Sequence, residues 1–174
     1  MYKVTDDFYA LAVFNRILEL VRECPINQVP ENYDGKRCSY GEARQYLTED
    51  SELSDLIFSK FPYKNDYRRK IEIGNDVNGF WLKPHSDHSA KREVTVIYFE
   101  GQENNGTIFH YPHELKRVRF IPNRAVHFYP DLKDTYDTES WKHSVKKIKM
   151  AVRRTVIVNY VDNAWRDIKD CYDR

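Results

Sequence analysis

The amino-acid sequence predicts a mainly β protein with helices packed outside a double-sheet β core. Three observations predict it. Residues up to about 69 space their apolar side chains at helical intervals, residues from about 70 break into short β-branched and aromatic runs, and turn residues separate those runs as in a sandwich or barrel. At 174 residues, 41% hydrophobic and 14% aromatic, the chain can bury one core, and a single domain over 1–174 is expected.

Thr5 is placed to cap a first helix, with Asp6 and Asp7 in the opening turn and an apolar stripe through Phe8, Leu11, Phe14, Leu18 and Val21. The stripe is expected on the domain's own core, and the helix ends near Cys24-Pro25. A loop containing Pro, Asn and Gly runs to Cys38. Ser39-x-x-Glu42 then opens a second helix and Ser51-Glu52 a third. Strands are expected at 79–82, 94–99, 107–111, 118–121, 125–129 and 155–161. Asn78-Gly79, Asn104-Asn105-Gly106, Pro122-Asn123 and Pro130-Asp131 supply the turns. A last helix after Asp162 carries Trp165, Ile168 and Tyr172. The domain thus divides into helical support (1–69), β core (70–162) and C-terminal helix (163–174).

Composition narrows the function. The 28 Lys+Arg and 27 Asp+Glu leave a net charge of +1, which gives no global field toward nucleic acid or an anionic membrane. The basic run Lys142, Lys146, Lys147, Lys149, Arg153 and Arg154, joined by Lys83, Lys91 and Arg92, reads as a solvated surface offset by carboxylates, so nucleic acid is not expected as a partner. The longest apolar runs fall far below the roughly 20 residues of a membrane-spanning helix. The acidic start lacks the basic and apolar regions of a secretory signal, so a cytoplasmic location is expected. Cys24, Cys38 and Cys171 are odd in number and scattered, against a disulfide framework or a zinc ribbon.

The chemistry gathers at His85-Ser86-Asp87, which closes the run Gly79-Phe80-Trp81-Leu82-Lys83-Pro84. In an extended chain, period-two geometry sends His85 and Asp87 to the same side. Such a pair arises often by chance, and a second element gives it meaning. That element is His143 in Trp141-Lys142-His143-Ser144-Val145, followed by Arg153-Arg154-Thr155 at the start of the last strand. Two imidazoles and one carboxylate on a β scaffold make a facial triad, filling three positions of an octahedral ferrous ion and leaving three open. Closed structural zinc sites differ from this.

On these residues, together with Asn105-Gly106-Thr107 and Phe128-Tyr129-Pro130, the stretch 70–162 resembles the 2-oxoglutarate- and Fe(II)-dependent oxygenases, in their prolyl-hydroxylase-like group. The resemblance implies a double-stranded β-helix (a jelly roll, cupin-like) with the N-terminal helices outside. It also implies Fe(II) held by His85, Asp87 and His143, 2-oxoglutarate as co-substrate, and dioxygen. Arg153 would take the distal carboxylate of 2-oxoglutarate, with help from the Thr155 hydroxyl. A planar guanidinium matches a carboxylate with two parallel hydrogen bonds, and strand parity puts Thr155 beside Arg153; Arg154 is the competing candidate. The implied outcome is hydroxylation of a peptide side chain or small metabolite, with release of succinate and CO2, by a monomer or homodimer. The chain departs from the family where members often carry a co-substrate-binding tyrosine before the first histidine: here stand Asn75 and Asp76. Tyr98, in an apolar strand, reads as a core residue with a satisfied hydroxyl. The residues at 25–38 and 62–70 are candidates for the substrate mouth.

Other histidines are set aside. His88 faces away from Asp87 by parity, His110 and His113 read as surface or hydrogen-bonding residues, and His127 as a satisfied barrel histidine. A reading from another class is a non-catalytic jelly-roll module that binds an anion or a sugar in the same pocket.

Overall fold

The computed structural model describes residues 2–24, 51–87, 90–130, 142–149 and 152–162. The second helix expected from Ser39, the loop at 25–38, His88 and the C-terminal helix lie outside the described residues.

The chain begins with a strand. β1 (Tyr2–Thr5) pairs antiparallel with residues 125–128, so Thr5 closes a strand and caps no helix. Main-chain pairing along that edge wins over the capping signal of Thr5-Asp6-Asp7. Asp7 then takes a left-handed φ of 49°. Asn123, itself at φ 62°, fixes the chain beyond it: its side chain accepts from Tyr9 N at 2.9 Å and donates to Tyr9 O at 2.8 Å. The helix starts only after this clamp, as α1 (Leu11–Glu23), with Phe14, Ile17 and Val21 buried. Leu11, expected in the buried stripe, is 71% exposed because it sits at the helix start, off the covered face. α2 (Glu52–Phe58) begins at Ser51 as expected, with a capping box closed by Ser54.

Eight further strands follow. They are β2 (Arg68–Asp76), β3 (Leu82–His85), β4 (Lys91–Glu100), β5 (Thr107–Tyr111), β6 (Glu114–Arg117), β7 (Ala125–Phe128), β8 (Lys142–Val145) and β9 (Arg153–Val161). β2 and β8 were not expected from the sequence. The strand expected at 79–82 begins instead at Leu82, because Gly79 turns the chain at φ 93°. The strand expected at 118–121 is displaced to β6. Val118 and Phe120 remain buried, but they bond outside the ladder, to Thr107 O and Glu103 O.

The strands form two antiparallel sheets, ordered β1-β7-β4-β9-β2 and β3-β8-β5-β6. Leaving β1 aside, this is the strand order of a double-stranded β-helix, in which successive hairpins cross between two facing sheets. Strand parity then sorts the core into two layers. Val94, Val96, Tyr98, Phe128 and Ile157 face the four-stranded sheet and meet Phe109. Ile71, Ile73, Ile97, Phe99, Val156 and Val158 point the other way and are covered by α1 and α2, with Phe14 stacked on Phe99 at 5.0 Å. Each such large side chain contributes about 1.5–3 kcal/mol on leaving water. The helices thus brace the five-stranded sheet from outside and leave the space between the sheets for chemistry. Among the described residues, no helix is long and apolar enough to cross a membrane.

Candidate active site

A cavity of about 70 Å³ opens between the sheets, room for a few waters. His85, Asp87 and His143 line one end, Arg153 and Thr107 the other, with Val94, Val96, Phe128, Val145 and Ile157 between them.

At the first end, β3 and β8 are antiparallel neighbours and His85 lies directly opposite His143. The imidazole centroids are 4.3 Å apart. Asp87 leaves β3 on the side of His85, and one potential ligand atom from each of the three residues lies within 4.8 Å of the others. Among the described residues, this is the one group of three or more His, Cys, Asp or Glu side chains so arranged. Asp87 Oδ2 is buried without a hydrogen-bond partner and stands 3.7 Å from His143 Nε2. A buried carboxylate oxygen without a donor is costly, and an ion among these donors would satisfy it. Two nitrogens and one oxygen suit a divalent transition metal, so the residues fit the group.

The other Asp87 oxygen is held. Lys91 Nζ donates to Oδ1 at 3.1 Å and to Glu72 Oε1 at 3.3 Å, and Asn159 Nδ2 donates to the same Glu72 oxygen at 2.9 Å. Burial alone would push the Asp87 carboxyl up. The charges of Lys91, His143 and His85 outweigh it and hold the group well below the usual carboxylate range. Sequence reading missed Glu72 and placed Lys91 only in a basic surface run.

At the far end, Arg153 is 2% exposed and lines the cavity, whereas Arg154 points away and pairs with Glu100 at 2.6 Å. Thr155 is fully buried, its Oγ1 3.4 Å from Arg153 Nη1. Asp76, in the stretch where the family tyrosine is missing, accepts from Arg153 Nη1 at 2.8 Å. Asn75 points out of the cavity and donates to the carbonyls of Val21 and Cys24. The Tyr98 hydroxyl donates to Thr107 Oγ1 at 2.7 Å and accepts from Thr107 N at 2.9 Å, which satisfies it fully in the core. His110 lies 2.7 Å from the Ser144 hydroxyl, outside the triad. His127 is satisfied by Thr95 at 2.9 Å, but on the outer face of its sheet, since its neighbours Val126 and Phe128 take the inner one.

This is the fold of the 2-oxoglutarate- and Fe(II)-dependent oxygenases, in their prolyl-hydroxylase-like form. A prolyl hydroxylase from Trichoplax adhaerens, solved with a hypoxia inducible factor oxygen degradation domain peptide fragment, is similar with a TM-score of 0.63 at 15% identity, over 92% of this chain and 83% of that one. The viral collagen prolyl hydroxylase of Paramecium bursaria Chlorella virus-1, a 2OG complex, gives 0.59 at 13% identity over 92% and 94%. A 2OG-Fe(II) oxygenase family oxidoreductase from Burkholderia pseudomallei gives 0.55 at 12% identity over 92% and 84%. At these identities the likeness is one of fold. The sequence matches no family model and no curated protein.

Proposed function

We propose that this chain is an Fe(II)- and 2-oxoglutarate-dependent oxygenase that hydroxylates a peptide side chain or a small metabolite. One observation carries the reading: a single narrow cavity has a metal-ligand triad at one end, a buried guanidinium at the other, and apolar walls between. That spacing of charge suits a 2-oxo acid, whose oxo and carboxylate oxygens chelate a metal while its tail reaches a cation.

His85, Asp87 and His143 would hold the ion and leave its remaining positions to ligands. The ion, 2-oxoglutarate and dioxygen supply the oxidising chemistry, the oxo acid leaving as succinate and CO2. The chain positions and shields. Arg153 and the Thr155 hydroxyl receive the far end of the oxo acid, and the walls of Val94, Val96, Phe128 and Ile157 keep bulk water off the reacting centre. Lys91 fixes Asp87 Oδ1 so that Oδ2 faces the imidazoles. The peptide bound to the Trichoplax adhaerens neighbour supports a peptide as one substrate class.

The test is succinate formation from 2-oxoglutarate by the Fe(II)-loaded chain in air. Turnover is expected in the native chain and is expected to vanish in Asp87→Ala and His143→Ala. Equal turnover in those variants refutes the assignment. A chain that loads no Fe(II) at all favours the anion- or sugar-binding module instead.

A further inference from the structure

Arg153 is tightly engaged by the chain itself. Its Nη1 donates to Asp76 Oδ2 at 2.8 Å and approaches Thr155 Oγ1 at 3.4 Å, and its Nε donates to Asn105 O at 2.9 Å. A guanidinium grips a carboxylate with two parallel N–H groups, either Nη1 with Nη2 or Nε with Nη2. Here each fork has one prong committed. Only Nη2 has no hydrogen-bond partner among the described residues.

Charge points the same way. The Arg153 and Asp76 side chains are 2% and 0% exposed, so their mutual attraction is little screened, and a second carboxylate arriving at Nη2 also meets the negative charge of Asp76.

We propose that Asp76 sets the co-substrate preference of this cavity: by pairing with Arg153 it removes most of the site's demand for an anionic tail, so 2-oxo acids ending in a neutral polar group bind about as well as 2-oxoglutarate. The proposal rests on the reading that Arg153 receives the far end of an oxo acid. Asp76→Asn keeps an oxygen to accept from Nη1 and removes the charge.

The experiment is calorimetric titration of the Mn(II)-loaded full chain, which binds without turning over, with 2-oxoglutarate and with its tail methyl ester, which is neutral and, unlike the tail amide, cannot close to a lactam. In the native chain the two Kd values are expected within about threefold of each other, and in Asp76→Asn 2-oxoglutarate should tighten about tenfold while the ester does not. A native preference for 2-oxoglutarate of about a hundredfold overturns the proposal, and this arm needs no variant to fold. So does an Asp76→Asn chain, folded by circular dichroism, that binds 2-oxoglutarate no more tightly. If neither oxo acid binds a chain that retains Mn(II), or if Arg153→Met leaves both Kd values unchanged, the reading of the Arg153 end fails and this proposal falls with it.

Discussion

An aspartate that offers one oxygen to a metal, the role proposed for Asp87, needs the other held, and Lys91 holds Asp87 Oδ1 at 3.1 Å. The ammonium is itself balanced by Glu72, so removing Lys91 alone would add uncompensated negative charge beside His85, Asp87 and His143 and mix two effects. The double variant Lys91→Met, Glu72→Gln keeps the local net charge and removes the grip on Asp87. Its Mn(II) affinity, read by electron paramagnetic resonance, is expected to fall about tenfold, the scale of lost support to a metal ligand. Its melting temperature without metal is expected to fall, because buried Asp87 Oδ1 loses its donor, and to recover in part with Mn(II). Unchanged affinity would mean that Asp87 orients itself. The positions of His85 and Asp87 were legible in the sequence because period-two geometry is local. Asp76, Glu72 and Lys91 were not: each is a charge in a polar stretch, and each finds its partner on another strand, so nothing nearby distinguished them from solvated residues.

Elements show the same division. β4, β7 and β9 were readable because both of their faces are buried and apolar side chains run along them. β2 was not, because Arg68-Arg69-Lys70-Ile71-Glu72-Ile73-Gly74-Asn75-Asp76 alternates only through Ile71 and Ile73. Its other face carries Glu72 and Asp76, buried polar groups that hold the cavity-lining residues Lys91 and Arg153, so an inward face looked like a solvent face. β8, as Lys-His-Ser-Val, hid for the same reason. One turn can be tested directly. A Cβ on Gly106 would be driven into the Val118 carbonyl oxygen and would stand 2.9 Å from Phe120 N, both rigid backbone atoms. Its φ of −70° is ordinary, so the demand is for space alone. Gly106→Ala is expected to lower stability by about 2–3 kcal/mol in urea unfolding. On the proposed reading it should also weaken oxo-acid binding, because the adjacent Asn105 carbonyl holds Arg153 Nε. Native stability in this variant would show that the β5 turn can open without loss.

Across the whole molecule, the four-stranded sheet brings the two imidazoles, the five-stranded sheet brings Arg153, Asp76 and Lys91, and the contact of Lys91 with Asp87 ties one to the other. The triad exists only when β3 and β8 are paired and the chain beyond β3 is held by β4. An unfolded chain separates His143 from His85 and Asp87 and offers no such site. An ion that binds the folded form alone must therefore stabilise it by mass action, by about 2.7 kcal/mol at a free concentration of 100 times Kd. For a chain of this length that corresponds to a rise in Tm of about 5–10 °C. Differential scanning calorimetry with Mn(II) should show this rise, a chelator should reverse it, and His143→Ala should abolish it. If His143→Ala melts with the same Mn(II)-dependent rise as the native chain, the ion is binding elsewhere, and the pairing of His85 with His143 across β3 and β8 is packing rather than ligation.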